Sequence, residues 1–212
     1  MASLPLFPLS TALLPGERLP LQIFETRYLA MVRDLVQPEV EVPRFGVVAI
    51  REGNEVGTDR IRSLYDVGCT AVIRRAAVLA DNRLLTVVEG ADRFHLDALD
   101  DTATTPYATG LVRWLPDDDG DATTVAALAD RLRAEITEMG GDEDDLPQEA
   151  RALSWALPDL MDLDLADRQR LLERSSTEER LRHALYLLRR ERELASTLHA
   201  AGRPRREPFN LN

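Results

Sequence analysis

Residues 4–33 constrain the fold most strongly, because several local signals follow one another within this short stretch. Leu4–Leu9 is apolar, but Pro5 and Pro8 lack the backbone donor that a central strand needs. We therefore expect an edge strand or an irregular extended segment there. Pro15-Gly16 follows and indicates a turn, because proline presets φ and glycine tolerates positive φ.

The period of the apolar residues then changes from two to three or four. Residues 18–23 alternate apolar with polar or proline residues, which predicts a half-buried strand. Beyond this strand, apolar side chains recur on one helical face: Tyr28, Met31, Val32, Leu35 and Val36. An extended segment, a turn, a strand and a helix in this order predict the nucleus of a small α+β domain.

The rest of the chain divides at about residue 116. Before it, apolar runs predict further strands at 45–50, 68–77, 84–88, 94–99 and 107–115. The acidic linker 117–121 cannot build a core, and helical periodicity begins at residue 122. We expect a β-rich lobe over residues 1–116, a helical lobe with a long last helix over 117–202, and a tail over 203–212.

Local signals also predict the helix boundaries in the second lobe. Pro147 fits the first turn of a helix that Pro158 ends. Asp164 is a candidate N-cap for the next helix. Ser176 and Glu179 have the spacing of a capping box that opens the last helix.

Four motifs, in order, carry a resemblance to a known family. They are PLFPL…LLPGE.LPL.IFE.RYL.MV, RFGVVAIREGNEVG, YDVGCTAVIRRAAVLADNRLLTVVEGADRFHL and PYATGLVRWL. This order resembles the Lon-type N-terminal domain, the substrate-binding part of the ATP-dependent Lon protease. That domain also occurs in free-standing proteins and in the Lon-like part of cereblon. The resemblance covers residues 3–115 well and continues more loosely to about residue 195. It implies an α+β fold, in which a PUA-like small β-barrel or sheet lobe with one helix precedes a C-terminal helical bundle lobe.

The chain contains no lysine, since all 26 of its basic residues are arginine. A phosphate-binding GxxxxGK[ST] loop and a Ser-Lys protease dyad both need lysine, and arginine cannot act as a general base. We therefore expect neither ATPase nor protease on this chain, no cofactor, and no enzymatic activity. The resemblance then implies a stand-alone substrate-binding domain.

Composition indicates a cytoplasmic protein. Apolar runs are far shorter than the roughly 20 residues that span a bilayer, and residues 1–16 lack the features of a signal peptide. The single cysteine, Cys69, suits a reducing compartment. It lies in the apolar run GCTAVI, which favours a small buried side chain over a reactive thiol.

The net charge of −11 argues against nucleic acid as a partner. A basic surface would have to come from local arginine groups, namely Arg74 and Arg75; Arg189, Arg190 and Arg192; and Arg203, Arg205 and Arg206. The three histidines are far apart, and we expect no metal site around them. The acidic segments 117–121 and 142–145 lack the spacing of a calcium loop and are expected to be solvated.

The candidates for peptide contact are Phe24, Arg27, Tyr28, Tyr107 and Trp114. Alternatively, the aromatic residues pack in the core. Arg27 could instead act with Glu25 to fix the junction between the strand and the helix.

The favoured function is binding of exposed hydrophobic segments of unfolded or damaged proteins in a groove between the lobes. Pairing along a strand edge would contribute, with the first segment and the strand near Tyr107 as the expected edges. One alternative is an adaptor that docks a single folded partner, a protease or a regulator, through the last helix and tail. A third is a PUA-like RNA-binding domain.

Overall fold

The structure, a computed structural model, describes residues 2–53, 61–79, 81 and 83–201. Seven strands come first, with one helix among them: β1 (Ala2–Leu9), β2 (Arg18–Ile23), α1 (Thr26–Leu35), β3 (Arg44–Gly53), β4 (Ile61–Leu64), β5 (Val67–Val78), β6 (Leu84–Leu99) and β7 (Thr109–Trp114). Five α-helices follow, namely α2 (Ala122–Glu138), α3 (Ala150–Trp155), α4 (Leu157–Leu160), α5 (Leu165–Glu173) and α6 (Thr177–Ala201), with a 3-10 turn at Glu143–Asp145. The expected α+β architecture is confirmed, and the predicted tail lies outside the described residues.

The strands form one sheet that closes on itself. Its order is β1-β7-β6-β5-β3-β4, with β2 paired to β6 and β1 paired to β3. The first half of β1, Ala2–Pro5, lies antiparallel to β7, and the second half, Leu6–Leu9, lies parallel to β3. A small barrel results, because the first strand joins the two ends of the sheet.

Leu4–Leu9, expected as an edge strand or an irregular extended segment, is instead part of the regular strand β1. This strand is not a free edge, because its first half pairs with β7 and its second half with β3. The Leu6 N–H donates to the Ala108 carbonyl, on the β7 side. Backbone groups alternate sides along a strand, so the Pro5 nitrogen faces β3, whose pairing begins only at Leu6. The Pro8 nitrogen faces the β7 side, where pairing has ended at Pro5. Each proline therefore occupies a position where no ladder hydrogen bond is required.

The strand near Tyr107 is not an edge either, because β7 pairs with both β1 and β6. Within the part of the chain that the structure describes, β2 has a strand on one side only. That arrangement suits Pro20, which cannot donate to a second neighbour.

Helix α1 closes one end of the barrel. Tyr28, Met31 and Val32 are buried, and the Tyr28 ring stacks on Phe7 with centroids 4.1 Å apart. Val36, predicted on the same stripe, lies just past the helix end and is half exposed.

The helical lobe has its own apolar cluster, to which α2, α3 and α6 contribute. The Asp164 cap is confirmed by a hydrogen bond from the Asp167 N–H, and Ser176 accepts one from the Glu179 N–H. The prediction for Pro147 was wrong, because this residue precedes α3 by three positions. Helix α3 ends at Trp155, ahead of Pro158 as predicted, and Pro158 itself lies in the first turn of α4. Proline needs no donor in a first turn, so it begins a helix as readily as it ends one.

Helix α5 packs against the barrel. Leu171 and Leu172 are buried in the same apolar cluster as the barrel strands, together with Trp155 of α3. The Gln169 side chain donates to the Val67 carbonyl at 3.1 Å. The chain thus returns to the first lobe after leaving it at the acidic linker. None of the described helices is long and apolar enough to cross a membrane.

Candidate functional site

A cleft of about 660 Å³ lies between the barrel and the helical lobe. Its walls come from four separate segments, namely the loop before β2, the middle of β6, the chain after β7, and α3 with the residues that precede it. The apolar lining residues include Pro15, Ala91, Leu115, Pro116, Pro147, Ala152 and Trp155, and the charged ones are Glu17, Asp92, Arg93, Asp117, Glu149 and Arg151. We call this the inter-lobe cleft.

Trp155 of α3 is the aromatic residue among those that line the cleft. Its side chain is only 7% exposed, because it enters the apolar cluster of the barrel from α3. The Arg180 guanidinium lies 4.1 Å from its ring centroid and the Arg93 guanidinium 5.8 Å from it. Two cations therefore hold the indole in position.

A buried ionic network forms the floor beside Trp155. Arg180 is fully buried and donates to both carboxylate oxygens of Asp117, at 2.6 and 3.0 Å. Its remaining donors reach the hydroxyls of Ser154 and Thr177, both at 2.9 Å. This bidentate pair is a preorganised contact between α6 and the linker.

Arg93 of β6 ties the barrel to the same network. Its guanidinium donates to the carbonyls of Leu172, Arg174 and Pro116, and to Asp117 at 3.3 Å. Burial lowers the pKa of Arg93, and the Asp117 carboxylate acts in the opposite direction. An arginine stays charged despite this lowered pKa. Arg93 therefore links the two lobes as a fixed positive charge, and it cannot act as a base in proton transfer.

The rim of the cleft is also internally paired. Glu17 accepts from the Leu14 N–H and is bridged by Arg168 of α5, which also donates to the Ala12 carbonyl. Arg151 donates to Asp119 at 2.9 Å. Much of this charge is neutralised within the wall, so the cleft offers a ligand apolar surface beside charged groups that already have partners.

The five predicted contact residues do not line the inter-lobe cleft. Phe24 and Tyr28 border a smaller cleft of about 220 Å³ between the end of β1 and β2. Phe24 is 55% exposed there, whereas Tyr28 is buried in the barrel core. Arg27 pairs with Glu25 at 2.9 Å and covers the Tyr28 ring, an arrangement that holds the strand-to-helix junction.

Tyr107 and Trp114 lie elsewhere. Tyr107 is buried and donates its hydroxyl to Asp34 of α1 at 2.9 Å. Burial, helped by this carboxylate, raises the pKa of Tyr107 to about 12. Trp114 is 41% exposed on β7, with the Arg44 guanidinium 5.1 Å from its ring. The structure therefore separates the five residues into two in the core, two on the surface and one at a junction.

Sequence reasoning missed the residues that build the cleft. Trp155 was not singled out, and Arg93 and Arg180 were not distinguished from the other arginines. A signal does exist in the pattern, because Arg180 lies at helical spacing from Thr177, Leu181 and Ala184 of α6, which are all buried. This signal could not be interpreted from the sequence, because Arg180 is buried against Asp117, which is 63 positions away in the chain.

Cys69 is buried in β5, as expected, and burial raises the pKa of its thiol far above the usual range. Such a thiol is a poor nucleophile. Among the described residues, no group of three histidine, cysteine or carboxylate side chains is placed to hold a metal ion.

Comparison with known proteins agrees with this architecture. The family model for the ATP-dependent protease La (LON) substrate-binding domain matches residues 3–190. Lon protease of Anaeromyxobacter dehalogenans is 27% identical over 208 residues, covering 91% of this chain and 24% of that protein. Lon protease of Porphyromonas gingivalis is 34% identical over 105 residues, covering 50% of this chain and 12% of that protein. The chain thus spans about a quarter or less of these curated relatives.

Two solved structures share the fold. The Lon N-terminal domain protein from Xanthomonas campestris is 28% identical with a TM-score of 0.64, and the match covers 88% of this chain and 98% of that one. The N-terminal domain of the Mycobacterium avium complex Lon protease has a TM-score of 0.65 at 18% identity, with the same coverage of both chains. From the family match over nearly the whole chain, together with the barrel and helical lobe, we conclude that this protein belongs to the Lon substrate-binding domain family.

Proposed function

We propose that this protein is a non-catalytic recognition module that binds exposed apolar segments of unfolded or damaged polypeptides in the inter-lobe cleft. The observation that carries the proposal is the cleft itself, which has the volume of a ligand site and an apolar surface around Trp155. Membership in a substrate-binding family supports polypeptide as the ligand.

The mechanism is burial of apolar side chains against a wall that is already ordered. Each fully buried leucine- or phenylalanine-sized side chain contributes about 1.5–3 kcal/mol. Because Arg93 and Arg180 fix Trp155 before any ligand arrives, little ordering cost falls on the protein. Two or three such anchors sum to about 3–9 kcal/mol before the cost of association, so the affinity is micromolar at its tightest, which suits transient capture of many sequences.

Blocking the cleft tests this function. Ala152 is exposed on α3 and lines the cleft, so Ala152→Arg fills it without entering the core. The matched control is Ala127→Arg, at an exposed position on α2. We expect A152R to weaken binding of a fluorescently labelled, permanently unfolded polypeptide about tenfold in an anisotropy titration, and A127R to leave it unchanged. Equal binding by the two variants would place recognition elsewhere.

A second candidate function is docking of one folded partner through α6. Tyr186 and Leu194 lie eight positions apart, on one face of this helix, and each is more than half exposed. Deleting residues 190–212 should abolish such an interaction while the circular dichroism spectrum stays that of a folded protein. Undiminished partner binding in a pull-down would argue against this role.

A further inference from the structure

The exposed face formed by β2, β6 and β5 carries three arginines around a single glutamate. Register places Arg18 of β2 opposite Glu89 of β6. Arg74 donates to both carboxylate oxygens of Glu89, at 3.1 and 3.2 Å, and Arg18 lies 3.7 Å from it. Arg75 is exposed beside them. We call Arg18, Arg74 and Arg75 the arginine patch.

A β-bulge explains why two consecutive arginines are exposed together. The register between β5 and β6 shifts between Ile73 and Arg75, so Arg74 is the extra residue. In a regular strand consecutive side chains point to opposite faces, and a bulge re-aims one of them. The side chains of Arg18 and Arg74 are 76% and 51% exposed, as a ligand-binding charge must be.

The patch is positive within a strongly acidic protein. Three guanidinium groups face one carboxylate, whereas the whole chain has a net charge of −11. Neighbouring carboxylates have partners of their own, because Glu17 pairs with Arg168 and Asp92 with Arg44. The excess positive charge at this place is therefore not cancelled by the nearest acidic residues.

Apolar surface continues from the patch along the same strands. Pro20 and Val87 are paired across β2 and β6, and Leu85 is 43% exposed further along β6. Pro20 removes a backbone donor from the free edge of β2, which restricts pairing of another strand there. Recognition on this face consequently depends on side chains.

The patch begins where the inter-lobe cleft ends. Arg18 follows Glu17 in the chain, and Glu89 precedes Ala91 by two residues; Glu17 and Ala91 both line the cleft. Backbone hydrogen bonds between Gly16 and Gly90, and between Gly90 and Glu17, hold these two segments together. Only one or two positions along β2 and β6 therefore separate the arginine patch from the lining of the cleft.

We propose that the arginine patch binds carboxylates of the captured polypeptide, so that the preferred substrates are apolar segments flanked by aspartate or glutamate. This inference rests on the proposed function and adds a charge preference to it. Acidic peptide is a better fit than nucleic acid, because a net excess of two positive charges neutralises few phosphates in a chain that is otherwise acidic.

The experiment uses three labelled peptides with one apolar core and with flanks of glutamate, glutamine or lysine, and an RNA oligomer of the same charge as the acidic peptide. Binding to the full chain is measured by fluorescence anisotropy at two salt concentrations. We expect the acidic peptide to bind about tenfold more tightly than the glutamine peptide, and this advantage to shrink at high salt. The lysine peptide should bind most weakly.

Reversing the charge of two arginines of the patch tests whether the preference for acidic peptide arises there. The double variant Arg74→Glu/Arg75→Glu should abolish the acidic advantage and leave the glutamine peptide bound as before. Its matched control is Arg131→Glu/Arg182→Glu, which changes the net charge equally at two exposed helical arginines, each paired with one glutamate in its own helix. If R74E/R75E is poorly folded by circular dichroism, Arg74→Gln/Arg75→Gln replaces it, with a smaller expected loss.

The outcomes separate this inference from the function on which it rests. If none of the peptides binds, the proposed function fails. If the glutamine peptide binds but the acidic one gains nothing, or if both double variants lose the gain equally, the arginine patch is not the site. Tighter binding of the RNA than of the acidic peptide, lost in R74E/R75E, would overturn acidic polypeptide as the ligand.

Discussion

Arg180 shows how a single side chain holds several parts of this molecule together. It is fully buried, it pairs with Asp117 through two hydrogen bonds, and its guanidinium lies against Trp155. A buried charge is tolerated only when its donors are satisfied, and most of those of Arg180 reach a carboxylate or a hydroxyl. The wall of the inter-lobe cleft therefore depends on this residue.

We expect Arg180→Ala to lower the free energy of unfolding by about 3–5 kcal/mol, because it leaves the Asp117 carboxylate without its main partner. Urea denaturation measures the change. The control is Arg182→Ala, on the exposed side of α6, which should cost less than about 0.5 kcal/mol. Similar losses in both variants would show that the buried network contributes little.

The four aromatic candidates for peptide contact show that residue type alone does not decide whether a side chain lies in the core or on the surface. Tyr28 and Tyr107 are core residues, whereas Phe24 and Trp114 are surface residues, although all four are aromatic. Phe24 follows the last residue of β2, where the alternation of faces points it outward. Their assignment as peptide contacts stays a prediction.

Among the elements, β6 is the strand that organises the barrel and the cleft. It is 16 residues long and pairs with β2, β5 and β7. At Gly90 its backbone lies so close to the loop before β2 that an added Cβ would be 2.0 Å from the Leu14 carbonyl oxygen. Only glycine fits there, and the contact positions one wall of the inter-lobe cleft.

Gly90→Ala should destabilise the protein by about 3 kcal/mol, because the clash is with backbone that cannot rotate away. Gly16→Ala serves as the comparison. Gly16 has φ of 82° but open space around it, so alanine there bears only the conformational cost of about 1–2 kcal/mol. Thermal denaturation should rank the two variants in this order, and the reverse order would refute the close approach at Gly90.

Helices α5 and α6 are joined by a buried ion pair that makes stability depend on pH. Asp167 is 1% exposed and accepts from Arg190 at 2.6 Å. This hydrogen bond lowers the pKa of Asp167 despite the opposing effect of burial. The folded pKa thus lies below the unfolded value of about 3.9, so the stabilisation is present above that value and is lost as the pH falls through the folded pKa.

Asp167→Asn should therefore lower the unfolding free energy at neutral pH and make its decline below about pH 5 less steep. Urea denaturation across a pH series measures both effects. Asp162→Asn, at an exposed position before α5, is the matched control. If the unfolding free energy of Asp167→Asn declined as steeply below pH 5 as that of the unsubstituted protein, the α5–α6 pair would not be the source of this pH dependence.

At the scale of the whole molecule, the two lobes share parts. Trp155, Leu171 and Leu172 come from the helical half of the chain but are buried in the cluster of the barrel. Arg93 of the barrel in turn donates to carbonyls at the end of α5 and beyond it. A boundary at residue 116 marks the change from strands to helices. It does not imply that the two lobes fold independently of each other.

A chain ending at Pro116 should consequently fail to form a packed barrel, since three core side chains and three of the four partners of Arg93 are missing. We expect weak near-ultraviolet circular dichroism and binding of a hydrophobic dye, the signs of a loosely packed state. The full chain is the control. A well-dispersed amide spectrum for residues 1–116 would instead establish the first lobe as an independent domain.

The sequence by itself determined the elements and the family of this protein. Hydrophobic periodicity is a local property, and it predicted β2, β3, α1 and the helical half; short capping patterns placed the starts of α5 and α6. Ordered motifs identified the substrate-binding family, which the family match confirms.

Only the tertiary structure decided which strand edges are free and where the cleft lies. The prolines of β1 indicated an edge, but closure of the barrel gives each half of that strand a different neighbour. The cleft joins segments as distant as Arg93, Asp117 and Arg180, whose charges could be buried only because they meet one another. No periodicity encodes such a meeting, because it arises from packing between elements and not from the order of residues within one.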